Sequence, residues 1–140
     1  MKSYSHLYEK IIDEDNLKLA IKNAIKGRTK KRRKKIKQYI ENTDEAVKEL
    51  KTLVSDRPLS IDMSMYGGFE QVGAIGSSLT SSDVQTVTEP GDIVLYAGSQ
   101  IVIFYGSNSW AYTKLGQIDL PQKEMEDLLG HGDVRISIIG

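Results

Sequence analysis

The sequence predicts an α+β protein: N-terminal helices followed by a small β-barrel whose closure is left open. Three observations carry this expectation. Apolar residues ahead of residue 58 recur at helical spacing. Beyond Pro58 the texture turns to Gly, Ser and β-branched residues, with short apolar runs between turn signals. Charge divides near the same place: residues 1–40 hold 13 Lys/Arg against 4 Asp/Glu, whereas residues 41–140 hold 6 against 15. The formal net charge of zero conceals this segregation, which points to a polyanionic partner for the N-terminal part, or to the acidic remainder of the same chain. The expected organisation is a basic helical segment over 1–57 and a β domain over 58–140.

Taken in order, Leu7, Tyr8, Ile11 and Ile12 form a short helical turn. Leu17, Ala20, Ile21, Ala24 and Ile25 follow on one face of a helix, with Asp15 as N-cap and Gly27 at its end. Ile36, Ile40, Thr43, Val47, Leu50 and Val54, spaced by three and four, predict a long amphipathic helix over 31–54, with Ala46 and Leu53 widening its stripe. The alternative is a shorter helix from Asp44 capped by Thr43. Strands are expected over 59–63, 83–88, 93–97, 101–105, 111–118 and 134–139, and a helix over 121–129 ending at Gly130. Glu89-Pro90-Gly91-Asp92 is a turn signature, and Ala97-Gly98-Ser99-Gln100 a hairpin connection. Many short strands with one late helix favour a closed or nearly closed β structure.

The absence of cysteine excludes disulfides, thiolate metal sites and cysteine nucleophiles. His6 and His131 stand far apart, so no histidine metal site is expected, and no cofactor either. No apolar run approaches the ~20 residues of a membrane span, and no secretory signal pattern opens the chain, which makes a cytoplasmic location the default expectation and no membrane partner the corresponding one.

The ordered set Asp62-Met63-Ser64-Met65-Tyr66-Gly67-Gly68-Phe69-Glu70, then Gly91-Asp92-Ile93-Val94-Leu95-Tyr96, then the run from Ile101 through Trp110-Ala111-Tyr112 to Gly116, and the closing Leu128-Leu129-Gly130-His131-Gly132-Asp133-Val134 resembles the bacterial cyclophilin-like domain family. The resemblance covers residues 58–140 and implies a barrel related in fold to cyclophilins. Members of that family usually open with a β-hairpin, and nothing of that pattern precedes residue 58. The closing strand is therefore expected to present an open apolar edge, to be covered by the N-terminal helices or by a second copy in a homodimer. Prolyl isomerisation by true cyclophilins relies on an arginine beside an apolar pocket; here the only arginines of the β region are Arg57 and Arg135, neither in a matching motif.

The opening resembles a different family. Tyr4, Leu7, Tyr8, Ile11, Asn16-Leu17, Ala20, Ala24, Lys26-Gly27 and the basic run to Lys37, continuing through Tyr39, Asp44-Glu45-Ala46-Val47 and Leu50 to about Arg57, resemble the start of bacterial retroelement-type reverse transcriptases. That resemblance implies proximity to RNA. Polymerase chemistry needs paired carboxylates for two metal ions, and the chain contains no Asp-Asp pair. The juxtaposition carries the expectation of a recombined or truncated reading frame.

Two sets of site residues emerge. Arg28, Lys30, Lys31, Arg32, Arg33, Lys34, Lys35 and Lys37 form a run able to contact several phosphates without reading sequence, which makes RNA the expected partner of residues 28–37. Tyr66, Phe104, Tyr105, Trp110 and Tyr112 are the aromatic residues for a pocket that takes a small ligand or peptide, although strand alternation sends Phe104 and Tyr105 to opposite faces. No catalytic residue is assigned: His131 and Asp133 read as a turn between glycines, the Gly-rich 73–78 stretch lacks the lysine of a phosphate loop, and Glu124, Glu126 and Asp127 read as a solvated helix face. The expected function is a non-enzymatic ligand- or peptide-binding module with a basic arm, with RNA binding and isomerase-like activity as alternatives.

Overall fold

The computed structural model describes residues 43–139. The helices expected ahead of residue 43, and the basic run Arg28–Lys37 with them, lie outside the described residues. The first described element is a helix, α1, over 43–53. Its three- and four-residue spacing puts Thr43, Ala46, Val47 and Leu50 on one buried face, continued by Val54 just past its end, while Leu53 turns outward. Residue 43 is already helical, and its buried hydroxyl has no hydrogen-bond partner among the described residues. The alternative in which Thr43 caps a helix beginning at Asp44 therefore does not hold. The Ser55 hydroxyl and amide both donate to the Thr52 carbonyl, at 2.8 and 3.3 Å, and close the last turn.

Seven antiparallel strands follow: β1 Leu59–Tyr66, β2 Glu70–Ala74, β3 Val84–Val87, β4 Asp92–Tyr96, β5 Gln100–Phe104, β6 Ser109–Gln117 and β7 Val134–Ile138, with helix α2, Gln122–Leu129, between the last two. The sheet order is β3-β6-β4-β5-β2-β1-β7, so β3 and β7 are its two ends and the barrel is not closed among the described residues. β7 pairs with β1 from Leu59↔Ile138 to Met63↔Val134, and among the described residues its other side is a sheet edge. β1 serves two partners in succession, β7 over 59–63 and β2 over 64–66, which extends it three residues beyond the expected 59–63.

Turn chemistry sets the register. Gly67 and Gly68, at φ 65° and 74°, supply the two consecutive left-handed residues of a tight hairpin, as Ala97 and Gly98, at φ 52° and 74°, do between β4 and β5. At Glu89-Pro90-Gly91-Asp92 the Asp92 amide donates to the Glu89 carbonyl at 3.0 Å, and the Asp92 carboxylate accepts the Glu89 amide at 2.9 Å. The same carboxylate, almost fully buried, pairs with Lys114 at 3.3 Å across to β6.

Alternation along the strands divides the interior into two clusters. Ile61 and Met63 of β1, Ile93 and Leu95 of β4, Ile101 and Ile103 of β5, Leu115 of β6, and Ile136 and Ile138 of β7 face one core. The buried stripe of α1 and the buried Met125 and Leu129 of α2 join that core. Thus α1, on the N-terminal side of the expected boundary at residue 58, packs into the β region. On the opposite face Val94, Val102, Phe104 and Tyr112 form a smaller cluster, backed by Phe69 and Val72. No helix among the described residues is long and apolar enough to cross a membrane.

Candidate functional site

The second face of the sheet carries a cleft of about 670 Å³ whose floor is the smaller cluster. The Gly67-Gly68 turn folds β2 back along β1, and the Tyr66↔Glu70 and Glu70↔Phe104 registers bring Glu70 into the sheet. From there alternation does the rest. Glu70 and Val72 of β2, Tyr96 of β4, Gln100 and Val102 of β5, and Trp110 and Tyr112 of β6 line the cleft, with Ser64, Met65 and Tyr66 of β1 and Phe69 and Asn108 from the turns. The intervening residues Gln71 and Gly73 point the other way. Gln71 is buried and its side-chain amide donates to the Leu129 and Gly132 carbonyls, both at 2.8 Å, tying β2 to the end of α2. At Gly73 any Cβ would lie 2.7 Å from the Asp62 carbonyl oxygen and 2.5 Å from Ile61, so only glycine lets β1 approach.

The aromatic walls are ordered by packing. Tyr112 stands edge-on to both Phe104 and Tyr96, at ring-centroid distances of 5.5 and 6.1 Å. Its hydroxyl accepts a 2.9 Å hydrogen bond from the Asn108 side chain, and the Asn108 backbone is in turn clamped to Thr88 in both directions. Trp110 and Tyr66 form the rim and are well exposed, at 57% and 67%.

Glu70 is the exception among these residues. It is only 5% exposed, yet its carboxyl group has no hydrogen bond or ion pair among the described residues, and no Lys, Arg or His lines the cleft. Burial disfavours the charged form and pushes its pKa up to about 7. The neighbouring phenols respond: burial raises the pKa of both Tyr105 and Tyr112, with the Glu70 charge adding to each. A carboxyl poised near neutrality under an aromatic lining can accept a cation or, when protonated, donate a hydrogen bond.

Of the aromatic residues singled out from sequence, Tyr66, Trp110 and Tyr112 line the cleft. Phe104 lies fully buried beneath it, and Tyr105 falls in the main core on the other side of the sheet, so the five do not meet in one pocket. Sequence reasoning missed Glu70, Tyr96, Asn108 and Gln100. The available signal was the Gly67-Gly68 pair, a hairpin signature that would have placed a strand at Glu70. His131 is exposed in the turn ahead of β7, where Asp133 accepts the Met65 amide at 3.1 Å. Glu124, Glu126 and Asp127 are exposed on α2. No cluster of three or more His, Cys, Asp or Glu able to hold a metal ion occurs among the described residues.

A family model described as the cyclophilin-like family matches residues 32–139. The match takes in α1 and all seven strands, and begins ahead of the compositional boundary at Pro58. No curated protein and no solved structure matches the chain.

Proposed function

The chain belongs to the cyclophilin-like family, and we propose that it works as a non-enzymatic binding module that holds a small ligand or peptide in the cleft of its second sheet face. The observation that carries this reading is Glu70, a residue only 5% exposed whose carboxyl group finds no partner among the described residues, at a cleft rimmed by exposed aromatic residues. Buried polar groups ordinarily have a hydrogen-bond partner in the protein or in ordered water, and large exposed aromatics at one place mark a contact surface. Both features are accounted for if a ligand completes the site. The isomerase alternative expects an arginine beside an apolar pocket, and neither Arg57 nor Arg135 lines this one; Arg135 is paired with Asp62 at 2.6 Å on an exposed strand face.

The test is a nitrogen-15 amide shift titration of the full chain against a panel of short peptides and small aromatic and amine compounds. Binding moves amides of residues 64–70, 96–100 and 108–112 together. A panel whose hits all map to α2, β7 or the N-terminal segment would overturn the reading.

Segregated charge supports a second reading, RNA contact through residues 28–37, in line with the reverse-transcriptase-like opening. Labelled RNA should then bind with an affinity that drops steeply as salt rises from 50 to 200 mM. Salt-independent binding would exclude phosphate contact.

A further inference from the structure

We propose that the ligand recognised by the cleft is a small organic cation, an alkylammonium group seated between the aromatic walls with Glu70 as its counterion. This rests on the cleft being a ligand site, and adds the chemistry that the site selects. Three observations converge on that chemistry.

The first is charge. Among the described residues Glu70 is the one acid lining the cleft, and no basic side chain lines it. The titratable groups around it are Tyr66 on β1, Tyr96 on β4 and Tyr112 on β6, with Tyr105 just past β5; all are phenols, and none can carry a positive charge. An anionic ligand would meet a carboxylate with nothing to offset it. A cation supplies what the fold leaves out.

The second is the walls. Trp110, Tyr96, Tyr112 and Tyr66 surround the same space, and ring faces attract cations within about 6 Å, most strongly where water is excluded. An alkylammonium group combines a charge for the carboxylate with methyl or methylene groups for the rings. A metal ion would not: a single carboxylate with no His, Cys or second acid beside it is a poor donor set.

The third is the supporting structure. Tyr112 is fixed by two ring contacts and by the Asn108 hydrogen bond, so the wall nearest the small cluster is rigid before a ligand arrives. Glu70 itself is held by strand pairing on both sides, with Tyr66 on β1 and Phe104 on β5. A preorganised site of this kind spends little on ordering.

The experiment compares choline with its uncharged carbon isostere dimethylbutanol, by isothermal calorimetry and by fluorescence of Trp110, the chain's single tryptophan. At pH 8 the full chain binds choline at least about tenfold more tightly than dimethylbutanol, and choline affinity falls by about tenfold or more at pH 5, where Glu70 takes up its proton. Glu70→Gln removes both the preference and the pH dependence while dimethylbutanol still quenches or shifts Trp110 emission. Equal affinity for the two compounds in the wild-type chain overturns the cation assignment and leaves the cleft reading standing. Failure of the wild-type chain to bind choline at pH 8 also overturns it, and the amide-shift panel then decides the cleft reading independently. Retention of the choline preference in Glu70→Gln, with the variant's circular dichroism unchanged, would show that the rings or another group select the charge, and would overturn the role given to Glu70.

Discussion

Replacing Glu70 by glutamine should change how the protein's stability depends on pH, and the size of that change follows from where the side chain sits. Burial raises the folded-state pKa from 4.5 to about 7, while the unfolded chain keeps the ordinary value. The folded protein therefore holds this proton more tightly than the unfolded one. Below pH 4.5 both states carry the proton, and the group contributes no penalty. As pH rises toward 7 the unfolded state ionises freely while the folded state resists, so stability falls across this window and levels off above it. At about 1.4 kcal/mol per pKa unit the shift corresponds to on the order of 3 kcal/mol as an upper bound, and solvent reaching the carboxyl through the cleft reduces the penalty to about 1–2 kcal/mol. Glutamine has nearly the same shape and no titration. Its unpaired amide adds a cost of its own, but one that does not vary with pH. The stability difference between Glu70→Gln and the wild-type chain should therefore shift in favour of the variant by about 1–2 kcal/mol between pH 4 and pH 8.5. Urea denaturation followed by circular dichroism at half-unit pH steps reads this directly, since the other carboxyl groups titrate alike in both proteins. A difference that stays constant within about 0.5 kcal/mol across that range would refute the claim that the carboxyl is buried and unpaired.

Three further outcomes are expected. Leu50→Ala removes a fully buried side chain that α1 contributes to the main core, and should cost about 2–5 kcal/mol in urea denaturation; a cost under about 0.5 kcal/mol would mean that the helix is an appendage. Gly73→Ala drives a methyl group against the Asp62 carbonyl, which cannot give way as a side chain can, and should destabilise by about 1–3 kcal/mol. Trp110→Ala should leave the unfolding midpoint nearly unchanged, because the ring is more than half exposed, while abolishing ligand binding at the cleft read by amide shifts.

What could be read from the sequence depended on whether a residue's neighbours were local. The strands β3 to β7 show alternating or continuous apolar runs bounded by Pro, Gly or Asn, and their positions were legible to within a residue or two. The turn with left-handed residues at 67–68 went unread, whereas the one at 97–98 was as visible as those strands. β2 was not, because Glu70, Gln71 and Gly73 invert the usual pattern. Two polar residues are buried there, one held by carbonyls 58 and 61 positions away and the other facing the cleft, and a glycine stands where β1 needs room. Those requirements arise only after the sheet has formed. The same holds for the site. Tyr66, Trp110 and Tyr112 announce an aromatic surface on their own, whereas Phe104 and Tyr105 sort by alternation into separate clusters, and Glu70 acquires its character entirely from burial between β1 and β5. The helix 43–53 posed the opposite difficulty: its stripe was plain, but its partner, the core of a β domain after a change in composition, was not.

The account turns on the ionisation of one carboxyl group, and that can be observed at the atom. In a chain labelled with carbon-13 at glutamate, the Glu70 carboxyl resonance, assigned by its loss in Glu70→Gln, should titrate with an apparent pKa near 7 in the free protein. Saturating choline at fixed ionic strength should move that midpoint downward, since a bound cation favours the charged form. A midpoint near the ordinary 4.5, unmoved by choline, would contradict both the buried state of Glu70 and its role as a counterion.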